Sequence, residues 1–522
     1  MRRITNIMIA LLACASMWAT PARRDGRIMV DADGVAKMVY MHGNEDFHFL
    51  TDESGTWLDE ESLLPMSETE KNYRKSSGKQ RLHLRRARQT TGLDRLLAPK
   101  GPVILVNFSD TAFSHTKEQM IEWATGEDYT LDGATGSILQ YFRDNSYGQY
   151  VPQLDFYGPV TVSRGASYYG SNDSRGNDLR PDEMVVEACR LAHEQGADFS
   201  QYDYNNDGEV DWVVVVYAGK GEADNYPNMP NTIWPHQYTL SSTQKSFKLD
   251  GKTIDRYCCT NEISYDDKLA GIGIFIHEFS HILGLPDIYS TDYNTTHKTN
   301  GEWDIMDYGC YNNNLLTPPM YSAYERWWMG WIEPTLLNSA ATITLDELNS
   351  SSAAGYLTAD GDTVTNILSP TNPNTFYVLE NRQQSGWDAY LPGHGLLITK
   401  IQFSSYKWQY NAVNKDASAL GIDIIEADGL SPRYPQNGYY GKQGDAYPTD
   451  LVNSFTLVTN YQLTNIAETN GVITFDINGG GSPTYLDVQE PNSTEAPRKI
   501  LQNGHVVILR GEQIYDLLGR QL

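Results

Sequence analysis

Residues His277 to Asp287, reading His-Glu-Phe-Ser-His-Ile-Leu-Gly-Leu-Pro-Asp, combine two imidazoles, a carboxylate between them and a helix terminator. On an α-helix, residues four apart differ by about 40° around the axis, so His277 and His281 project from one face toward a shared metal. Two imidazoles on zinc call for a third protein ligand and leave an open position for water, whose pKa falls to about 7. Glu278 stands where a general base would take the proton of that zinc-bound water, the chemistry of hydrolysis at neutral pH. Gly284 is suited to a positive φ that ends the helix, and Pro286 prevents its resumption. Asp287 then falls ten residues after His277, at the third-ligand position of the extended H-E-x-x-H-x-x-G-x-x-H pattern, with an aspartate in place of the usual histidine. The competing reading, a core helix with hydrogen-bonded histidines, requires Gly284, Pro286 and Asp287 to be accidents as well.

Further along, Gly-Glu-Trp-Asp-Ile-Met-Asp-Tyr-Gly runs from Gly301 to Gly309, with Met306 nineteen residues after Asp287. The segment resembles the methionine turn of metzincins, in which a methionine lies beneath the metal and a tyrosine two residues later approaches it. The matching positions are Met306 and Tyr308, and a hydroxyl at Tyr308 would stabilise the oxyanion of a tetrahedral intermediate. Ordinary core packing is the alternative for both residues.

The elements that must carry these residues form an α/β (α+β) arrangement. Pro102 to Phe108 is an apolar strand, and helical patterns follow near Lys117 to Ala124, Gly136 to Arg143 and Asp182 to His193. Val210 to Tyr217 reads as a strand buried on both faces. Met320 to Trp331 reads as an aromatic-rich helix closing this domain. From about Ile343 the texture changes to strands with Gly, Asn and Pro turns, such as Thr375 to Glu380, Gly395 to Ile401 and Val472 to Ile477, most simply a β-sandwich domain. The expected organisation is a signal peptide (1–22), a small β-rich propeptide with a basic processing segment (23–95), a metzincin-like zinc peptidase domain (96–342), the β-sandwich domain (343–478), and a linker and C-terminal tail (479–522).

Charge is distributed unevenly along the 522 residues: residues 1–100 carry net +3, leaving −29 for the remainder against a total of −26. An acidic body of this kind argues against nucleic acid or anionic membrane as partner. Lys71 to Lys100 holds ten Lys/Arg against one acid, Asp94, an exposed stretch open to an activating protease, with Arg88 to Arg95 as the processing zone. The N-terminus has basic Arg2 and Arg3, an apolar run from Ile7 to Ala15 and small residues thereafter, a secretory signal with cleavage near Ala19 or Ala22. Leu11-Leu12-Ala13-Cys14 is a weak match to a lipoprotein box. No other stretch is long and apolar enough to span a bilayer. The expected location is extracellular or on the cell surface. Cys189, Cys258, Cys259 and Cys310 are too few for a disulfide scaffold, and no thiol-protease signature accompanies them.

Asp203, Asn205, Asp207, Glu209 and Asp211 alternate around Gly208 as in calcium loops. The bidentate glutamate of an EF-hand is missing, since position twelve is Val214 and a strand follows. A bland Asx-rich turn is the alternative.

Taken together, Tyr202-Asp203 to Asp211-Trp212, Ile233-Trp234-Pro235-His236, the His277 helix with Leu285-Pro286-Asp287, Gly301-Glu302-Trp303 with Met306, and Trp328-Met-Gly330-Trp331 resemble the immune inhibitor A family of secreted bacterial metallopeptidases. Leu379-Glu380-Asn381-Arg382, Leu391-Pro392-Gly393-His394-Gly395 and Gly444-Asp445-Ala446-Tyr447-Pro448 extend the likeness to about residue 480. It implies a zymogen, zinc-dependent endopeptidase activity on protein or peptide substrates, and structural calcium. Glu380, Arg382 and His394 are expected as interdomain or core contacts, and His236 as a residue lining the cleft, with a structural imidazole beside the proline turn as the alternative. The tail from Ala496 to Arg520 is similar to C-terminal sorting segments of proteins exported by Bacteroidetes. The rival reading is a calcium-stabilised adhesin or glycan-binding protein on an inactive peptidase scaffold, against which the complete His277-Glu278-His281 set weighs.

Overall fold

The structure is a computed structural model that describes residues 18–515 apart from 32–33, 45–46, 61, 73–99, 174–176, 226–230, 292–296, 351, 372, 430–442, 458–460, 482, 487–497, 503–504 and 511–512. The apolar run of the expected leader, most of the basic segment including Arg88 to Arg95, and much of the expected tail fall outside the described residues.

The chain opens with a short strand, β1 (Trp18–Ala19), followed by β2 (Arg27–Val30), β3 (Ala36–Asn44), β4 (Phe47–Thr51) and β5 (Trp57–Leu58), and β2 to β5 form a four-stranded antiparallel sheet. The central body comprises β6 (Lys100–Asn107), α1 (Lys117–Thr125), α2 (Ile138–Asn145), β7 (Gln153–Thr161), α3 (Pro181–Glu194), β8 (Val213–Lys220), β9 (His236–Thr239), the hairpin β10 (Phe247–Leu249) and β11 (Lys252–Ile254), β12 (Arg256–Ile263), α4 (Gly273–Ile282) and α5 (Ala323–Trp328). Its sheet has the order β1-β9-β12-β8-β6-β7. The four strands β12, β8, β6 and β7 are parallel, while β9 is antiparallel to β12 and β1 is antiparallel to β9.

The two-residue period of a strand divides the apolar side chains of this sheet between two cores. Val103, Leu105, Val214 and Val216 face one core with Trp123 of α1, Phe142 of α2 and Phe275 and Phe279 of α4. Ile104, Val106, Val213 and Val215 face the other with Met184, Val185, Ala188 and Ala192 of α3. Burial on both faces accounts for the unbroken valine run, which would be unsuited to a half-exposed strand. Helices α1, α2 and α5 each begin at a capping box, on Thr116, Ser137 and Ser322, which satisfies otherwise orphaned N–H groups. The strand expected from Val210 starts instead at Val213, because Val210 N–H and Asp211 N–H donate to Thr253 and Tyr202 carbonyls in a preceding turn.

Beyond α5, the strands β13 (Thr335–Leu336), β14 (Ala341–Leu345), β15 (Gly355–Thr358), β16 (Thr375–Arg382), β17 (Gly395–Gln402), β18 (Ile422–Ile424), β19 (Phe455–Leu457), β20 (Tyr461–Thr469), β21 (Val472–Ile477) and β22 (Pro483–Tyr485) make two five-stranded sheets, β13-β15-β16-β17-β18 and β19-β20-β21-β14-β22. Side chains from both, among them Leu379, Ile398, Leu463 and Phe475, share one buried apolar cluster. The first sheet also packs on the central body. Phe376 meets Trp327 of α5 at 5.7 Å between ring centroids, and buried Arg382 pairs with Asp388 at 2.7 Å and donates to the Met320 carbonyl. Glu380 accepts from Ala323 N–H at the start of α5. His394 lies at the surface beside Glu468. Strands β23 (Arg498–Gln502), β24 (His505–Arg510) and β25 (Gln513–Tyr515) form a separate antiparallel sheet in the tail.

Candidate metal centre and active site

Helix α4 runs from Gly273 to Ile282 and is buried along its whole length. Its first residue has no room for a side chain, since a Cβ on Gly273 would lie 1.9 Å from the Cys310 carbonyl oxygen. At the other end Gly284 has φ +90°, and its N–H and that of Leu285 donate to the carbonyls of His281 and Ser280. This left-handed cap turns the chain back toward the helix. Asp287 is thereby brought beside both histidines, with its Oδ1 3.2 Å from each Nε2.

The ligand atoms of His277, His281 and Asp287 all lie within 4.8 Å of one another, and all three residues are buried. His277 Nδ1 is 2.8 Å from the Ile305 carbonyl and His281 Nδ1 is 2.8 Å from the Leu285 carbonyl. A carbonyl can only accept, so Nδ1 carries the proton in each neutral ring and Nε2 presents its lone pair. His277 Nε2 and Asp287 Oδ1 are buried without a well-formed hydrogen bond among the described residues. Burial alone would raise the Asp287 carboxyl, but the two imidazoles pull it down to about 2. Two nitrogen lone pairs and an ionised carboxylate around one point are a donor set that fits zinc.

Ile305 and Met306 are fully buried, in the same apolar core as Phe275, Ile276 and Phe279 of α4. The Met306 carbonyl accepts from Ile288 N–H at 2.9 Å, and Met306 N–H donates to Asp304. The turn thus ties the carbonyl that orients His277 to the segment bearing Asp287. Tyr308 has its ring 3.8 Å from the Arg24 guanidinium and 6.5 Å from the Tyr289 ring.

Three contacts could not be found from local sequence. Asn411, in the downstream body, accepts from Asp287 N–H at 2.8 Å and donates to its Oδ2, holding the carboxylate from 124 residues away. No motif announces it. The second is Thr20, whose N–H donates to Glu278 Oε1 at 2.6 Å and whose hydroxyl donates to the same oxygen. Burial pushes the Glu278 carboxyl well above its ordinary range, against the lowering effects of His277 and Thr20. The third is Tyr289, two residues after Asp287, whose hydroxyl donates to the Ala19 carbonyl at 2.5 Å and accepts from Asn44 at 3.1 Å.

The segment from Trp18 to Arg24 therefore lies along the site as an extended peptide. Trp18 and Ala19 pair with Gln237 and His236 of β9. Beyond them, Trp234 Nε1 donates to the Thr20 carbonyl at 2.9 Å and the Tyr311 hydroxyl to the Pro21 carbonyl at 2.6 Å. Edge-strand pairing with side-chain donors on the remaining carbonyls is how a protein reads a peptide backbone irrespective of its sequence. The cleavage positions expected near Ala19 and Ala22 lie inside this segment. His236 itself is buried between the Trp234 carbonyl and the Tyr257 hydroxyl, in the frame of the cleft.

The Asp203–Asp211 loop is organised differently from a carboxylate cage. Asp203 pairs with Lys252 at 2.7 Å and accepts from the N–H groups of Asp207 and Gly208. Asp211 accepts from Tyr204 N–H, and Asp207 from Glu209 N–H. Among the described residues, the one group of three or more His, Cys, Asp or Glu side chains that converge closely enough for a metal is His277, His281 and Asp287. Cys189, Cys258, Cys259 and Cys310 are buried free thiols. No described helix is long and apolar enough to cross a membrane.

Residues 109–331 match the family described as immune inhibitor A peptidase M6, catalytic domain. Immune inhibitor A of Bacillus thuringiensis subsp. alesti is 28% identical over 215 residues, covering 36% of this chain and 31% of that protein. Pre-pro-metalloprotease PrtV of Vibrio cholerae serotype O1 (strain M66-2) is 27% identical over 212 residues, covering 36% of this chain and 23% of that protein. The matched region spans less than a third of the length of each relative.

Proposed function

We propose that this chain, whose residues 109–331 match the catalytic domain of the immune inhibitor A peptidase M6 family, is a secreted zinc-dependent endopeptidase held latent by its own N-terminal segment. The observation that carries this reading is the buried convergence of His277, His281 and Asp287, with Glu278 on the same helix. A zinc ion held by those three residues would supply Lewis-acid polarisation of a scissile carbonyl and a water of lowered pKa.

The chain's own groups supply the rest. Glu278, one residue after His277 on the same helix, is suited to accept a proton from water and pass it to the leaving amine. The Thr20 N–H on Glu278 Oε1 and the Ala19 carbonyl on the Tyr289 hydroxyl are the two sides of one peptide bond. That arrangement supports Tyr289 as the donor that stabilises charge on the carbonyl oxygen. Tyr308, read from sequence for that role, has its ring engaged by Arg24, and we assign it to the cleft wall.

Latency follows from the same contacts, because the Trp18–Arg24 segment takes both the substrate's edge pairing and the catalytic carboxylate. The reading requires leader removal upstream of Trp18 rather than after Ala19 or Ala22, with later processing near Arg88 to Arg95 releasing the segment and the β2–β5 sheet. We take the downstream body as the expected β-sandwich, with Asn411 as its contribution to the metal centre. Calcium at the Asp203–Asp211 loop would be structural and would need Lys252 to withdraw from Asp203. The β23–β25 tail is assigned to export or surface sorting, and truncation after Ser482 that left the protein's location unaltered would remove that assignment.

The main test is cleavage of casein or gelatin by the processed protein, with and without a zinc chelator, alongside Glu278→Ala. Chelation and the substitution are each expected to abolish cleavage; persistence in the Glu278→Ala protein would refute the mechanism.

A further inference from the structure

Arg23 is the most completely enclosed cation of the N-terminal segment's path through the site. Its side chain is 4% exposed, and its guanidinium lies 4.1 Å from the centre of the Tyr265 ring and 5.7 Å from that of Tyr311. Nη2 donates to Asn314 Oδ1 at 2.5 Å. Asp25, its partner at 2.7 Å, belongs to the same segment and is largely exposed. Asp224, buried and next in sequence to Ala223, accepts from the backbone N–H of Tyr265 at 3.1 Å, which sets a second carboxylate beside the ring that Arg23 covers. Burial pushes the Asp224 carboxyl up to about 6, against the lowering effects of Arg23, Arg27, the Tyr265 N–H and the Asn225 amide.

The pocket is also in register with the chemistry. Thr20 N–H meets Glu278, and three residues later Arg23 N–H donates to the Ala223 carbonyl at 3.1 Å while its side chain turns into the pocket. An extended chain covers about 10 Å in three residues. Between these points the backbone carbonyls of Thr20 and Pro21 are held by Trp234 and Tyr311. A substrate adding to β9 in the same direction follows the same line past Glu278.

We propose that Asp224, Tyr265, Tyr311 and Asn314 form a substrate subsite for a basic side chain, arginine in preference to lysine, at the fourth residue after the cleaved bond. This rests on the peptidase reading above and deepens it by naming a specificity determinant. With the Ala19–Thr20 peptide standing for the cleaved bond, Thr20 is the first residue after it and Arg23 the fourth. Arginine is favoured because a planar guanidinium stacks on the Tyr265 face while still donating in its plane to Asn314, whereas an ammonium cannot do both equally well. Arg23 then keeps the subsite filled in the latent protein by presenting the side chain that the subsite selects.

The test uses processed, zinc-loaded enzyme and quenched fluorescent peptides of one sequence, differing at that fourth position as arginine, lysine, citrulline or methionine. Citrulline keeps the shape of arginine without its charge. Arginine is expected to exceed citrulline in kcat/KM by about tenfold, the size of one partly desolvated cation contact, with lysine between them. Asp224→Asn should bring the arginine-to-citrulline ratio close to one, and Tyr265→Leu should erase the preference for arginine over lysine. The comparison of peptides on the unmodified enzyme stands even if a substituted protein does not fold. Equal cleavage of all four peptides at the same bond overturns the subsite and leaves the peptidase reading intact. Failure to cleave any of the peptides or casein overturns the peptidase reading and the subsite with it.

Discussion

Replacing Asn411 by glycine tests whether the downstream body helps to build the metal centre. The amide of Asn411 makes two hydrogen bonds to Asp287, one with its backbone N–H and one with its carboxylate. A hydrogen bond to a charged group contributes about 1.5–3 kcal/mol, and loss of a partner that orients a metal ligand typically costs about 10–100-fold in metal affinity or activity. Asn411 has φ +48°, a conformation that glycine adopts freely. Asn411→Gly therefore removes the amide with little added strain at this φ, while Asn411→Ala adds about 1 kcal/mol of left-handed strain. Zinc affinity is measured by competition with a fluorescent chelator, and thermal unfolding is followed with and without zinc. Asn411→Gly is expected to bind zinc about 10–100-fold more weakly. Asn411→Ala should match it in affinity and unfold at lower temperature without metal. A folded Asn411→Gly protein with the zinc affinity of the wild type would refute the argument that the third ligand is held from the downstream body.

Four further outcomes follow from the same geometry. Thr20→Val keeps the backbone N–H on Glu278 and deletes the hydroxyl bond, so residual casein cleavage by the unprocessed protein should rise about tenfold or more. Tyr289→Phe should lower kcat about a hundredfold with little change in KM, as loss of an oxyanion donor does, and Tyr308→Phe should have a much smaller effect in the same assay. Gly273→Ala drives a Cβ into the Cys310 carbonyl oxygen and is expected to cost about 3 kcal/mol or more in denaturant unfolding. Burial, reinforced by Arg24, lowers the His42 pKa to about 3; the unfolded imidazole binds its proton near pH 6.5, so stability is complete above that pH and falls as pH drops toward 3. At pH 5 the loss amounts to about 2 kcal/mol, measured as earlier unfolding of the β2–β5 sheet, and His42→Gln should flatten that dependence.

The sequence by itself determined what depends on local spacing. His277, Glu278 and His281 share a helix face because four residues make just over one turn, and Gly284 ends that helix because glycine takes the φ of +90° found there at no steric cost. The valine run of β8 announced a strand covered on both sides, and the change of texture after α5 marked a second body rich in strands. The expected helix from Met320 to Trp331 shortened to Ala323–Trp328 because Ser322 caps it with Glu325. Arg382 and Glu380 were legible as contacts, though not the fact that they hold the start of α5.

Tertiary structure alone decided which distant groups complete the site. Asn411 reaches Asp287 across 124 residues and Thr20 reaches Glu278 across 258. Neither obeys a helical or strand period, since the first depends on the downstream body packing at the metal centre and the second on β1 joining the edge of the central sheet. The same holds for the pocket around Arg23, which takes its walls from Asp224, Tyr265, Tyr311 and Asn314, residues that no common motif connects. The Asp203–Asp211 loop shows the limit of spacing in the other direction, because alternating oxygen side chains suit either a metal or the loop's own N–H groups. In the folded chain those N–H groups and Lys252 take them. Spacing states which groups are able to meet, and packing selects the ones that do, because burial makes an unpartnered polar group too costly to leave to chance.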